Sequence, residues 1–163
     1  MRTLLKVSGA IVICVLLLLL ILRLTGFEPR ERTPGLWLKG DLVTTPVADW
    51  SYTDKYQTIK LQTRTWYLLP HSVTIWCIAN DGQLYVASYW GGVRYPHGRH
   101  WTQNVARDPH VRLKIGDQLF DRTLLLVTDP TEKAAVLQAR AKKYPKQSLP
   151  AGATFYVFHV MPD

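Results

Sequence analysis

The residues most able to do chemistry cluster between Ser88 and Pro109. Small residues, Ser88 and Gly91-Gly92, let a ligand come close to the backbone. Arg94 and Arg99 supply guanidinium forks suited to an anionic group such as a phosphate. Trp90, Tyr95 and Trp101 could line a flat aromatic ligand. The same residues also suit a basic loop that caps a barrel, with Trp101 as the core anchor of a short helix. The residues alone leave both readings open. Tyr95 is the one candidate general acid here; no catalytic residue is assigned.

Other chemistries find less support. No nucleophile motif, zinc signature or phosphate loop is present, and Gly91-Gly92 is too short for a dinucleotide fingerprint. His97 and His100 are three apart, but Pro96 and Gly98 disfavour the helix that would pair them as metal ligands. Cys14 falls in a hydrophobic run and Cys77 in an apolar strand pattern, so no disulfide framework is expected and Cys77 is read as core. Basic residues are scattered rather than massed, which argues against nucleic acid as a partner.

The elements that must position this segment are mostly strands. Thr58 to Trp66 alternates, with Ile59, Leu61, Thr63 and Thr65 on one face and Lys60, Gln62 and Arg64 on the other. Ser72 to Ala79 and Gln83 to Ser88 flank Asn80-Asp81-Gly82, a strong hairpin signal. Trp101 to Arg107 reads as a short helix stopped by Asp108-Pro109. His110 to Ile115 and Gln118 to Val127 follow as strands joined at Gly116-Asp117. Asp129-Pro130 opens a helix near Thr131 to Lys143, and Thr154 to Val160 is a final strand. Without regular strand–helix alternation, an antiparallel barrel with short helices at its ends is expected.

The order of motifs resembles the deazaflavin-dependent nitroreductase family of the flavin-binding, pyridoxamine phosphate oxidase-like split barrels. The matching residues are Ala87-Ser88, Gly91-Gly92, Pro96, Trp101, Asn104-Val105, Asp108-Pro109 and Val111 to Gly116. The match continues through the Asp129-Pro130 helix to Tyr144-Pro145. The family's second motif, a Gly-x-x-x-Gly loop on the preceding strands, is replaced by Leu61-Gln62-Thr63-Arg64-Thr65-Trp66-Tyr67. The resemblance implies a mainly β, antiparallel split barrel holding FMN or a deazaflavin. It implies contacts to the cofactor's ring or its tail from Ser88, Gly91 and Gly92, phosphate contacts from Arg64, Arg94 and Arg99, and a pocket shaped by Trp90, Trp101 and Asn104. A quinone or nitro-aromatic acceptor and a homodimer follow from the same resemblance. The missing loop leaves an alternative, a non-catalytic barrel binding haem, lipid or a protein partner.

Before the barrel comes a hydrophobic run. Val7 to Leu22 is diluted only by Ser8 and Gly9, and Arg23 is placed to snorkel before Leu24 to Phe27. That length suits one transmembrane helix. No small-residue cleavage site follows the run, so residues 1–27 are expected to be a retained membrane anchor. Residues 28–35, rich in charge, Pro and Gly, are expected to be a linker lifting domain 36–163 off the membrane. Arg2 and Lys6 before the run favour a domain outside the cytoplasm. The chain of 163 residues carries a formal charge of +8; without Arg2, Lys6 and Arg23 it holds 17 basic and 12 acidic residues. That balance favours anionic partners, either a phosphate-bearing cofactor or a membrane surface.

Overall fold

The computed structural model describes residues 2–90, 94–147 and 154–163. Helix α1, Arg2–Thr25, is 24 residues of mostly leucine, isoleucine and valine. Its side chains from Lys6 onward meet no core: its large apolar residues are about half exposed. Lys6–Thr25 is long and apolar enough to cross a membrane, with mean hydropathy 2.8. At 1.5 Å per residue α1 is about 36 Å long, enough to span a hydrocarbon core of about 30 Å.

Strands β1 (Asp41–Leu42), β2 (Thr58–Thr63), β3 (His71–Asn80), β4 (Gln83–Trp90), β5 (His110–Ile115), β6 (Gln118–Leu126) and β7 (Thr154–Pro162) form one sheet. Its order is β1-β6-β5-β2-β3-β4-β7, and β6 pairs with β7 to close a barrel of six antiparallel strands. The short β1 lies parallel to β6 outside that ring. The expected hairpin is present, with Asn80 opposite Gln83. Asp81 and Gly82 both have positive φ, 50° and 73°, which fits a turn of the type that matches strand twist. β5 and β6 pair antiparallel, with Ile115 opposite Gln118, as the alternation predicts.

Strand alternation decides what each face buries. Ile59 and Leu61 of β2 point inward with Ile75, Cys77, Leu84, Val86, Leu113, Phe120 and Phe158, and this cluster fills the barrel. Cys77 is fully buried, as expected. The outer face of β3, β4 and β7 presents Ile78, Tyr85, Ala87, Phe155 and Val157 to helix α3, Pro130–Lys143. The Asp129 side chain caps α3 by accepting from the Thr131 amide at 2.9 Å, with Pro130 in the first turn. On that face Arg140 is 2% exposed and lies among the rings of Trp76, Phe155 and Tyr144, a cation–π setting.

Two departures from the sequence expectation concern the N-terminal part of the domain. From Leu36 onward the sequence reads as short strands, yet between Leu36 and Gln57 the chain forms only β1 and one 3-10 helix, Ser51–Lys55. Its Pro, Gly and Asp residues break the pairing pattern. Residues 28–35, expected to be a free spacer, lie against the barrel. Gly35 and Ser72 exchange both backbone hydrogen bonds, at 2.8 and 2.9 Å, and the Phe27 and Leu36 amides donate to Trp37 and Phe27 carbonyls. Gly35 permits this approach, because a Cβ there would meet the Phe27 carbonyl oxygen at 2.3 Å.

The Glu28 carboxylate fastens the same segment to the sheet. It accepts hydrogen bonds from Lys60 and from Lys114 at 2.6 Å, and from the Lys39 amide at 3.1 Å. Burial pushes its carboxyl up, but the Lys114 and Lys60 hydrogen bonds and the Lys39 amide outweigh it and hold it at about 2, below the ordinary 4.5. A carboxyl lowered on folding adds stability above its unfolded value and loses it as pH falls toward the folded one. Thermal melts of wild type should therefore weaken between about pH 5 and about pH 3 more than melts of Glu28→Gln. Equal losses in both proteins would show that this cluster contributes nothing to acid sensitivity.

Candidate functional site

Helix α2, His100–Arg107, lies across one end of the barrel. Its sequence turns an apolar stripe inward: Trp101 and Val105 are buried, while Gln103, Ala106 and Arg107 face solvent. Trp101 packs on Phe158 of β7 with ring centroids 5.4 Å apart. Tyr95 reaches the same ring at 5.7 Å, and its amide donates to the Tyr156 hydroxyl at 2.6 Å. The Thr102 hydroxyl lies 2.9 Å from the Pro96 carbonyl and 2.8 Å from that of Arg99, tying the helix start to the loop before it.

A polar chain runs along the rim under α2. The Asn104 amide donates to the Thr63 hydroxyl at 2.9 Å, and that hydroxyl donates to the His71 carbonyl at 3.1 Å. The His71 and His100 rings are 6.1 Å apart. Burial and then the neighbouring His100 push the His71 imidazole down, favouring its neutral form, and its Nδ1 is buried without a hydrogen-bond partner. The pairing of His71 with His100 is not legible in the sequence, since 29 positions separate them and only the barrel end unites them. At the far end of α2, Asp108 lies 3.5 Å from Arg64 and 2.9 Å from His110. Burial pushes the Asp108 carboxyl up, but His110 and Arg64 bring it below its ordinary value.

The residues expected to form the site are placed differently from one another. Ser88 and Trp101 are each 5% exposed, and Trp101 belongs to the barrel core. Trp101 therefore has the packing of a core anchor. Trp90 ends β4, its backbone paired with Thr154. Gly91 and Gly92 lie outside the described residues. Arg94 and Arg99 are exposed at the entry to α2, and the Arg94 carbonyl accepts from the His97 amide at 3.0 Å. Arg64 sits apart from them. The Arg107 side chain donates to the Arg64 carbonyl, so Arg64 lies by the C-terminal end of α2. Eight residues of helix separate Arg99 from Arg107, a rise of about 12 Å. The structure thus does not gather Arg64 with Arg99 at one point.

Arg64 lines a cavity of about 320 Å³ with Trp37, Gln62, Thr65, Leu68 and Pro70. A second cavity of about 380 Å³ lies toward the other end of the β3–β4 hairpin, where Arg122 stands over Trp50. The donors at the α2 entry suit the phosphate end of a flavin or deazaflavin, since guanidinium groups bind phosphate in forked pairs. Of the other residues expected at the cofactor, Trp101 packs in the barrel core and Ser88 is buried. Burial pushes the Tyr95 phenol up, so it stays protonated and can act as a donor.

No family model matches the sequence, and no curated protein matches it. Solved structures do. The conserved hypothetical protein Rv2991 from Mycobacterium tuberculosis is 15% identical, with a TM-score of 0.55, over 77% of this chain and 85% of that one. A protein described as a domain-swapped dimer is 20% identical, with a TM-score of 0.50, over 64% and 80%. A putative pyridoxamine 5'-phosphate oxidase from Listeria innocua is 18% identical, with a TM-score of 0.49, over 68% and 87%. The structural neighbours are the split barrels that the motif resemblance implies. With its own six-strand closure and the likeness to the first two, the chain is an antiparallel split β-barrel.

Proposed function

We propose that this protein is a membrane-tethered oxidoreductase whose barrel rim holds a flavin or deazaflavin and passes reducing equivalents to a quinone or nitro-aromatic acceptor. The observation that carries the reading is the pair Arg94 and Arg99, both exposed at the entry to α2 on a rigidly packed barrel end. They would hold the cofactor phosphate. The cofactor would supply the hydride chemistry, and the protein would orient it and limit its contact with water. Arg64, at the other end of α2, would serve a different group. Helix α1 supports the tether, and a lipid-soluble acceptor suits a barrel held beside a bilayer. A homodimer and a domain outside the cytoplasm belong to the same reading.

Titration of the full chain in detergent with FMN, FAD or a deazaflavin, followed by absorbance, tests this. A charge-assisted hydrogen bond contributes roughly 1.5–3 kcal/mol, so Arg94→Ala or Arg99→Ala should weaken binding about tenfold or more. Arg112→Ala is the control: its guanidinium is held by Asp121 at 2.7 and 2.8 Å on β5 and β6, beyond the C-terminal end of α2 and not at its entry. Absence of binding by the wild type to all three cofactors would sink the oxidoreductase reading. The burial of Ser88 and Trp101 favours the second reading, a non-catalytic binding barrel for haem, lipid or a protein partner. A haem titration separates the two, since a Soret shift without flavin binding would select the second.

A further inference from the structure

We propose that the tip of the β2–β3 loop, Trp66 to Leu68, enters the headgroup layer of an anionic bilayer beside the exit of α1 and fixes how the barrel sits on the membrane. The inference rests on the tethered reading above. The loop runs from Arg64 to Pro70 and carries four large apolar or aromatic side chains in a row, Trp66, Tyr67, Leu68 and Leu69, of which the first three are exposed. Trp66 is 78% exposed, Tyr67 49% and Leu68 94%. Single exposed apolar residues are ordinary on a protein surface; a contiguous group signals an interaction site. Leu68 has φ of 70°, a conformation a bulky residue seldom adopts, and it is turned outward rather than folded back onto the sheet.

Position identifies the occupant. The chain leaves α1 at Thr25 and folds back on itself through Phe27, Leu36 and Trp37, while Glu28 accepts from Lys60 and Lys114 of the barrel. Gly35 then pairs with Ser72, at the start of β3 and close after the loop, and the Leu38 amide donates to Gln62 at 2.8 Å, close before it. Trp37 and Leu68 line the same cavity. The loop therefore stands at the place where the membrane helix joins the domain. A flexible spacer would let the barrel tumble, but residues 28–35 are held by Glu28 and Gly35.

Composition agrees with position. Trp and Tyr favour the membrane–water interface, where an apolar ring and a polar edge are both satisfied. Phe27, 48% exposed, adds a further ring on the α1 side. Arg30, Arg32, Arg64 and Arg107 are exposed around this end of the barrel. Glu31 is the exposed acid among them and Asp108 pairs with Arg64 and His110, which leaves the arginines in excess. A basic collar around an aromatic tip complements anionic headgroups. A tip seated in this way also holds the α2 rim at a set height above the bilayer, because Arg107 joins α2 to the root of the loop.

The full chain reconstituted in phosphatidylcholine–phosphatidylglycerol vesicles provides the test. Lipids brominated high on the acyl chain quench tryptophan only where it meets the membrane interface. The wild type should show bromine-quenchable emission, and Trp66→Phe should lose most of it. Trp66 is mostly in solvent, so this variant keeps the fold. Leu68→Asp, which leaves all tryptophans in place, should also reduce quenching by lifting the tip. Flotation of the same samples reads the tether separately. Chains that float while Trp66 stays unquenched and accessible to aqueous iodide would overturn the tip contact and leave the tether standing. Chains that fail to float would overturn both. Trp66 shielded from lipid and iodide alike, in a protein that sediments as a dimer, would assign the tip to a second copy and overturn the proposal.

Discussion

Replacing Leu16 and Leu18 by arginine together will release this protein from membranes. Both residues lie near the middle of the Lys6–Thr25 span, and both are exposed along α1 with no protein around them. At a helix centre an arginine costs about 2.5–3.5 kcal/mol on the insertion scale, and a leucine is favourable by about 0.3–0.6 kcal/mol. The double change therefore shifts insertion by about 6–8 kcal/mol, beyond what the remaining leucines can offset. Wild-type chain should stay in the pellet after alkaline carbonate and float with lipid, while the double variant should appear in the supernatant. The barrel should be unaffected, because nothing in its core touches that part of α1. Release of the wild type by carbonate, or a mature N-terminus beyond Thr25, would show that α1 is not a retained anchor.

Phe158→Ala will destabilise the domain more than any rim substitution. Phe158 is fully buried in the barrel and receives both Trp101 and Tyr95. Truncating a buried phenylalanine costs about 3–5 kcal/mol, as lost transfer energy plus the cavity left behind. A domain is stable by about 5–15 kcal/mol, so this is a large share. The loss should fall on the α2 cap in particular, because the cavity opens under its anchor. Chemical denaturation should show a lower midpoint. Hydrogen exchange should show faster opening of the α2 amides than of β2 and β5. Leu125→Ala, at a half-exposed position on β6, should change stability by less than about 0.5 kcal/mol. If Phe158→Ala behaves like Leu125→Ala, α2 is docked by contacts other than this ring cluster.

Both predictions turn on the difference between what is local and what is long-range. The hairpin at Asn80-Asp81-Gly82, the alternation of β2 and β5, the capped α3 and the apolar α1 are all legible in the sequence. Each is decided by neighbours within a few residues: side chains alternate along a strand, an Asp accepts from an amide two residues on, and a leucine run lacks polar groups. An antiparallel barrel could be inferred from the order of these pieces, and the split barrel from the motif resemblance. Which residues would meet at its mouth could not. Closure by β6 and β7 joins segments separated by α3 and the chain beyond it, and only that closure brings Phe158 under Trp101. Alternation could mark Trp101 as apolar but could not say whether it faced a ligand or a core. Arg64 and Arg99 look alike as exposed cations, yet α2 lies between them and sets them at its two ends. Glu28 reads as part of a charged spacer, and two lysines from β2 and β5, 32 and 86 positions away, turn it into a fastening. Charge and polarity are properties of a residue, whereas a partner is a property of the packed chain. The sequence by itself therefore determined the elements, the apolar N-terminal helix and the barrel class, and tertiary packing alone decided which aromatics are core, which arginines are neighbours and where α1 meets the domain.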